Sequence, residues 1–169
     1  MQLRKLFFTL SFALCSIVIF GQTDVKTSAT SYVNAFVEQD FEKMFFLTHP
    51  NIVSMGGGKK YVLEDIKRER TSLAKMNFDF TEGSVGEPGE IIEAEGELQV
   101  IIPINFKVEI ENETYNSDSY LLGASSDDGE TWRFVNLDQY DRESLKMFIP
   151  NLSDDIKLPV KEGFTKIEN

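Results

Sequence analysis

Between Leu98 and Ile110 every even-numbered residue is apolar: Leu98, Val100, Ile102, Ile104, Phe106, Val108 and Ile110. The odd positions carry Glu97, Gln99, Asn105, Lys107, Glu109 and Glu111. A period of two puts these sets on opposite faces of a strand, one buried and one wet. At about 3.3 Å per residue the run spans roughly 40 Å, well beyond an ordinary strand. Pro103 has no N–H to give a neighbour, so an edge position or a bulge is expected near it. A strand this long with one irregularity bends.

Upstream the period is helical. Val33, Phe36, Val37, Phe41, Met44 and Phe45 recur at helix spacing, and Asp40 divides them by capping a second helix. Pro50 is expected to end that helix, because the residue before a proline, His49, is pushed out of helical geometry. Residues 51–55 then read as a short strand and Gly56-Gly57-Gly58 as a flexible break. Residues 59–75 predict a helix with Val62, Ile66 and Leu73 on one face. Phe78 and Phe80 restart a period of two, and Pro88-Gly89 marks a turn. Glu111-Asn112-Glu113 predicts a hairpin into 115–125, and a further turn leads into 131–138. Asp141 opens a last short helix, and the tail from Asn151 is expected to pack only in part. Helices first and an antiparallel meander afterwards give an α+β fold, with the helices covering one face of a curved sheet.

The chain has 169 residues, which suggests one domain. It opens with Arg4 and Lys5, then an apolar run from Leu6 to Phe20 and a small residue, Gly21. This is the layout of a secretory signal peptide over 1–21, too short for a comfortable membrane span. Residues 22–28 are expected to be a loose start of the mature chain, 29–149 the domain, and 150–169 the tail. Cys15 follows Leu14 and precedes a greasy stretch, which does not fit an acylated lipoprotein. It leaves with the leader, so the mature chain has no disulfide, thiolate nucleophile or cysteine metal site. The formal charge is −11, and losing Arg4 and Lys5 makes it more negative still. Nucleic acid and anionic membranes call for a basic patch, so the acidic balance argues against both, and neither is expected as a partner of the mature chain.

The order helix, aspartate, helix, proline in YVNAFVEQDFEKMFFLTHPNIV resembles the nuclear transport factor 2-like superfamily. The following GGGKKYVLEDI and the long strands 90–110 and 115–138 resemble that family's next helix and its curved sheet. The resemblance covers about residues 30–140. It implies a strongly curved cone with an apolar pocket between helices and sheet. It does not imply one activity, because the cone also houses ketosteroid-isomerase-like and polyketide-cyclase-like proteins and many non-catalytic ones.

SSDDGETW, Ser125 to Trp132, matches the S-x-D-x-G-x-T-W box of sialidases and related propellers. In those proteins the box is a repeated structural hairpin remote from the chemistry. Here it occurs once, and turn physics accounts for it: Asp127 bonds nearby backbone and Gly129 takes a positive φ. A calcium site at Asp127 and Asp128 lacks the oxygen count and the loop spacing.

His49 is the lone histidine and a candidate general base, its bland alternative being a residue at a helix end. Asp138 is a second candidate, as a buried carboxylate in an apolar pocket. No G-x-S-x-G elbow, HExxH zinc motif or P-loop spacing occurs. Tyr32, Phe36, Phe45, Phe106, Tyr120 and Trp132 are aromatics that line a pocket or simply fill the core. The expected function is an exported, non-enzymatic module that holds a small apolar ligand or a protein partner, with no cofactor or metal; a homodimer is compatible with it. The alternative is a small isomerase, cyclase or dehydratase working by proton transfer.

Overall fold

The computed structural model describes residues 25–160 and 163–168. The expected leader and its Gly21 boundary lie outside the described residues. Five helices precede, flank and follow a strongly curled antiparallel sheet that forms a half-barrel. The helices are α1 (25–37), α2 (Phe41–Leu47), α3 (Pro50–Met55), α4 (Lys59–Lys75) and α5 (Arg142–Phe148). The strands are β1 (Phe78–Val85), β2 (Ile92–Ala94), β3 (Glu97–Ile110), β4 (Glu113–Ser125), β5 (Arg133–Asn136) and β6 (Phe164–Lys166).

β3 and β4 form a long central hairpin in unbroken register from Leu98↔Ser125 to Ile110↔Glu113. Its turn residues, Glu111 and Asn112, both have positive φ, as a tight two-residue hairpin requires. β1 and β2 pair with the free edge of β3, and β5 and β6 with the free edge of β4. Pro103 falls in the gap between β1, whose pairing stops at Val85↔Ile104, and β2, whose pairing starts at Ile92↔Gln99. There β3 is locally an edge. Its Ile101 and Pro103 carbonyls accept from Gly89 and Gly86 of the connecting loop. The bulge lies in β1, between Phe80 and Glu82, rather than at the proline.

The even face of β3 is the main core. Val100, Ile102 and Val108 are fully buried, and Ile104 and Phe106 nearly so. Cross-strand register brings Phe80, Gly83, Leu121 and Phe134 to the same side. α1 roofs this face with Val25, Ala29, Tyr32, Val33 and Phe36. The stretch 22–28, expected to be loose, is therefore helical from residue 25, because Val25 and Ala29 extend the apolar stripe by two more turns. Asp40 caps α2 through the Lys43 N–H, and Asp141 caps α5 through the Ser144 N–H.

Three further expectations need correction. Residues 51–55 are helical, not a strand. Pro50 starts α3 at its first position, where a missing N–H costs nothing, with His49 as N-cap. The odd face of β3 is wet only over its second half, where Asn105 bonds Asp118 and Lys107 pairs with Glu82. Over its first half, α5 and residues 149–158 cover it, and Leu122, Val135, Leu145, Ile149, Leu152 and Ile156 form a second core. The tail therefore contributes more than the partial packing expected of it. Gln99, a polar odd position, is fully buried there.

Candidate functional site

A cavity of about 290 Å³ lies between the helices and the inner face of the sheet. α1 gives it Tyr32 and Phe36, and α2 gives it Met44. α4 gives Val62, Ile66, Arg70 and Leu73, which follow one another at spacings of four, four and three along one helix face. The sheet gives Phe80, Phe106 and Phe134. Curling makes the space: a flat sheet would meet the helices along its whole length. Thr48, Asn136, Asp138 and Tyr140 supply polar groups.

Arg70 is the one cation among the residues bordering the cavity, and it is only 7% exposed. Its guanidinium lies 5.2 Å from the Phe36 ring centre and 5.1 Å from that of Phe80. Those rings meet edge to face at 4.9 Å, so the cation caps an aromatic pair. Nη2 donates to Asp79 at 3.0 Å, whereas Nη1 is buried with no acceptor among the described residues. Tyr32 is buried against Phe134, and burial pushes its phenol up to about 12. The Thr48 hydroxyl beside it pulls the other way. The acids Glu69 and Asp138 lie at exposed positions, so Asp138 is not the buried carboxylate expected: it sits in the short helical turn after β5. Asp138 Oδ1 accepts from the Ser119 hydroxyl at 2.7 Å.

Of the aromatics singled out in the sequence, Tyr32, Phe36 and Phe106 border the cavity. Phe45, Tyr120 and Trp132 are not among its bordering residues. Phe45 packs edge-on against Phe46 beneath Lys59. Tyr120 packs on the second core. Trp132 closes the end of the main core, 1% exposed.

The two acid–base candidates part company: Asp138 borders the cavity and His49 does not. His49 is nevertheless buried. Its Nδ1 accepts from the Asn51 N–H at 3.3 Å, and its Nε2 lies 3.8 Å from Glu97 Oε1. It sits at a helix end, but as an N-cap acceptor rather than a cation at a C-terminus. Glu97 Oε2 accepts from Gln99 at 2.9 Å and from Asn151 at 3.2 Å. The imidazole of His49 holds the Glu97 carboxyl below its usual range; burial opposes, and the two amides add to the lowering. Gln99 also donates to the Asn151 carbonyl and accepts from the Ser153 N–H. This network ties helices, sheet and tail together.

The box at Ser125–Trp132 is a self-bonded turn. Asp127 accepts from the Thr131 hydroxyl at 2.6 Å, the Thr131 N–H at 2.8 Å and the Ser125 hydroxyl at 2.8 Å. The Thr131 bonds, then Ser125, bring its carboxyl down to about 2. Gly129 has φ +90, and its N–H donates to the Ser125 hydroxyl. The Asp127 carboxylate is thus spent on its own turn.

Arg70 escaped the reading of the sequence, hidden in the charged run KRER. The available signal was its place in the apolar stripe of α4. Comparison with protein-family models, with curated proteins and with solved structures gives no match.

Proposed function

We propose that this protein is an exported binding module whose inner cavity holds a small, mainly apolar molecule. The carrying observation is the cavity itself: about 290 Å³, walled mainly by aromatic and aliphatic side chains, with Thr48, Glu69, Arg70, Asn136 and Asp138 and two tyrosine hydroxyls as its polar groups. A cavity of about 150 Å³ lined by such residues admits benzene, so this one has room for a ring and a short chain. Helices roofing the inside of a curled sheet support membership of the nuclear transport factor 2-like cone class. The basic start and apolar run before Gly21 support export, and no helix among the described residues is long and apolar enough to cross a membrane.

The test is a melting-temperature screen of the purified protein against small aromatic and aliphatic compounds, followed by calorimetry on hits. Saturable one-site binding is expected, and Ile66→Trp, which puts a larger ring into the cavity, should weaken it. A broad panel with no shift would remove the reading. Mass spectrometry of protein recovered outside the cytoplasm should find it starting at Gln22.

The second reading is a proton-transfer enzyme. Asp138 favours it, bordering the cavity together with Tyr32 and Tyr140. Against it, the carboxylate lies at an exposed position and already accepts from Ser119, so it does not sit in the apolar surroundings this chemistry uses. Deuterium exchange into a bound enolisable ketone, lost in Asp138→Asn, would favour this reading over simple binding.

A further inference from the structure

We infer that the cavity selects a monoanion: a small organic carboxylic acid whose apolar body lies against Phe36, Phe80 and Phe106 while Arg70 receives its carboxylate. The inference rests on the cavity reading above and names the ligand's chemistry.

Three observations carry it. Arg70 is the single cation among the cavity's bordering residues, and it is more than nine-tenths buried. A buried guanidinium has five donors to satisfy, and here Nη1 has no acceptor among the described residues. An orphaned charged donor is a standing cost to the fold, and a ligand oxygen would remove it. The rings of Phe36 and Phe80 account for the face of the guanidinium but leave its in-plane N–H without an oxygen. The planar fork suits a carboxylate better than any other small group.

The charges around Arg70 narrow the choice. Asp79 already holds Nη2, so less than one full positive charge is on offer. Glu69 and Asp138 stand at exposed positions of the same cavity. A dianion such as a phosphate monoester would meet two carboxylates for one half-neutralised cation. A monoanion held at the buried end meets the cation first. A neutral carbonyl can accept from Nη1 but leaves the remaining charge of the guanidinium unmatched, and a cation would have to sit beside Arg70.

The test uses 3-phenylpropanoate, its neutral amide, the matching primary amine, and phenyl phosphate, titrated calorimetrically into the wild type. The acid should bind about tenfold or more tighter than the amide, the worth of one charge-assisted hydrogen bond. In Arg70→Met, which keeps an apolar stem, the acid should lose its advantage over the amide, whose own affinity falls much less because it gives up only a neutral acceptor's bond. Asp79→Asn leaves Arg70 in place and frees Nη2, so the acid should bind tighter still; this arm stands if the Arg70 variant fails to fold. Equal binding of acid and amide would overturn the inference and leave the cavity reading intact. Preference for the amine or for phenyl phosphate would overturn it as well. No binding by any of the four, alongside a silent panel in the screen above, would overturn both.

Discussion

Replacing Gly83 with alanine adds one methyl group between β1 and α1. Its carbon would lie 2.3 Å from Val33 Cγ1, 3.2 Å from Val37 Cγ2 and 3.3 Å from Phe106 Cε1. Val33 is β-branched and on a helix, where its side chain has essentially one rotamer, so it cannot swing aside. The helix itself must shift. Overpacking of this kind costs about 1–3 kcal/mol. Gly83 does not have a positive φ, so on an uncovered strand the same change would instead stabilise by about 0.4–1 kcal/mol through the unfolded chain. The sign therefore reports whether α1 lies on the sheet at this point. Urea unfolding followed by the fluorescence of Trp132, the single tryptophan and buried in the main core, measures it. The melting temperature should fall by roughly 3–10 °C. Val33→Ala should cost stability alone yet relieve Gly83→Ala in the double variant, with a coupling of about 1 kcal/mol or more. Stability at or above wild type, or strict additivity, would refute the packing of α1 on β1.

Three further outcomes follow from the polar networks. Gln99→Ala leaves the Asn151 carbonyl, the Ser153 N–H and a Glu97 oxygen without this partner; it should lower stability by about 2–4 kcal/mol and open 150–160 to protease. His49→Ala removes the acceptor at the start of α3 and should cost about 1 kcal/mol without changing ligand affinity, since His49 does not border the cavity. Asp127 is held at about 2 in the fold against an ordinary 3.8, so its carboxylate stabilises above pH 4 and that stability is lost as pH falls towards 2. The gap in melting temperature between wild type and Asp127→Ala should be flat above about pH 4 and close on acidification; a gap independent of pH would contradict the turn assignment.

Much of this architecture is legible in the residues because one-sided burial leaves a period. The even positions from Leu98 to Ile110 face a roofed core, and their apolarity announces the strand. The caps at Asp40 and Asp141 and the turns at Glu111-Asn112 and Asp128-Gly129 are legible because each rests on the chemistry of a few adjacent residues. What was hidden depends on partners distant in sequence. Residues 51–55 carry Ile52 and Val53 and look strand-like alone; helix geometry wins because Pro50 can start a helix as readily as end one. Gln99 looks like a wet-face residue because its partners, Asn151 and Ser153, lie more than fifty positions away. The cavity was only half visible: aromatic periodicity picked out Tyr32, Phe36 and Phe106, but not which aromatics face a void. Arg70 was invisible as a site residue because charge on a helix normally means solvent, and only Phe36 and Phe80 packing beneath it reverse that.

Xenon offers the most direct check on the cavity, because it enters apolar spaces without needing any particular chemistry. Methyl NMR of the protein under xenon pressure should show saturable shifts at Val62, Ile66 and Leu73 on α4 and at Met44 on α2, with Leu145 and Leu152 of the second core unmoved. Unshifted methyls along α4, or shifts spread evenly over both cores, would contradict the cavity between helices and sheet.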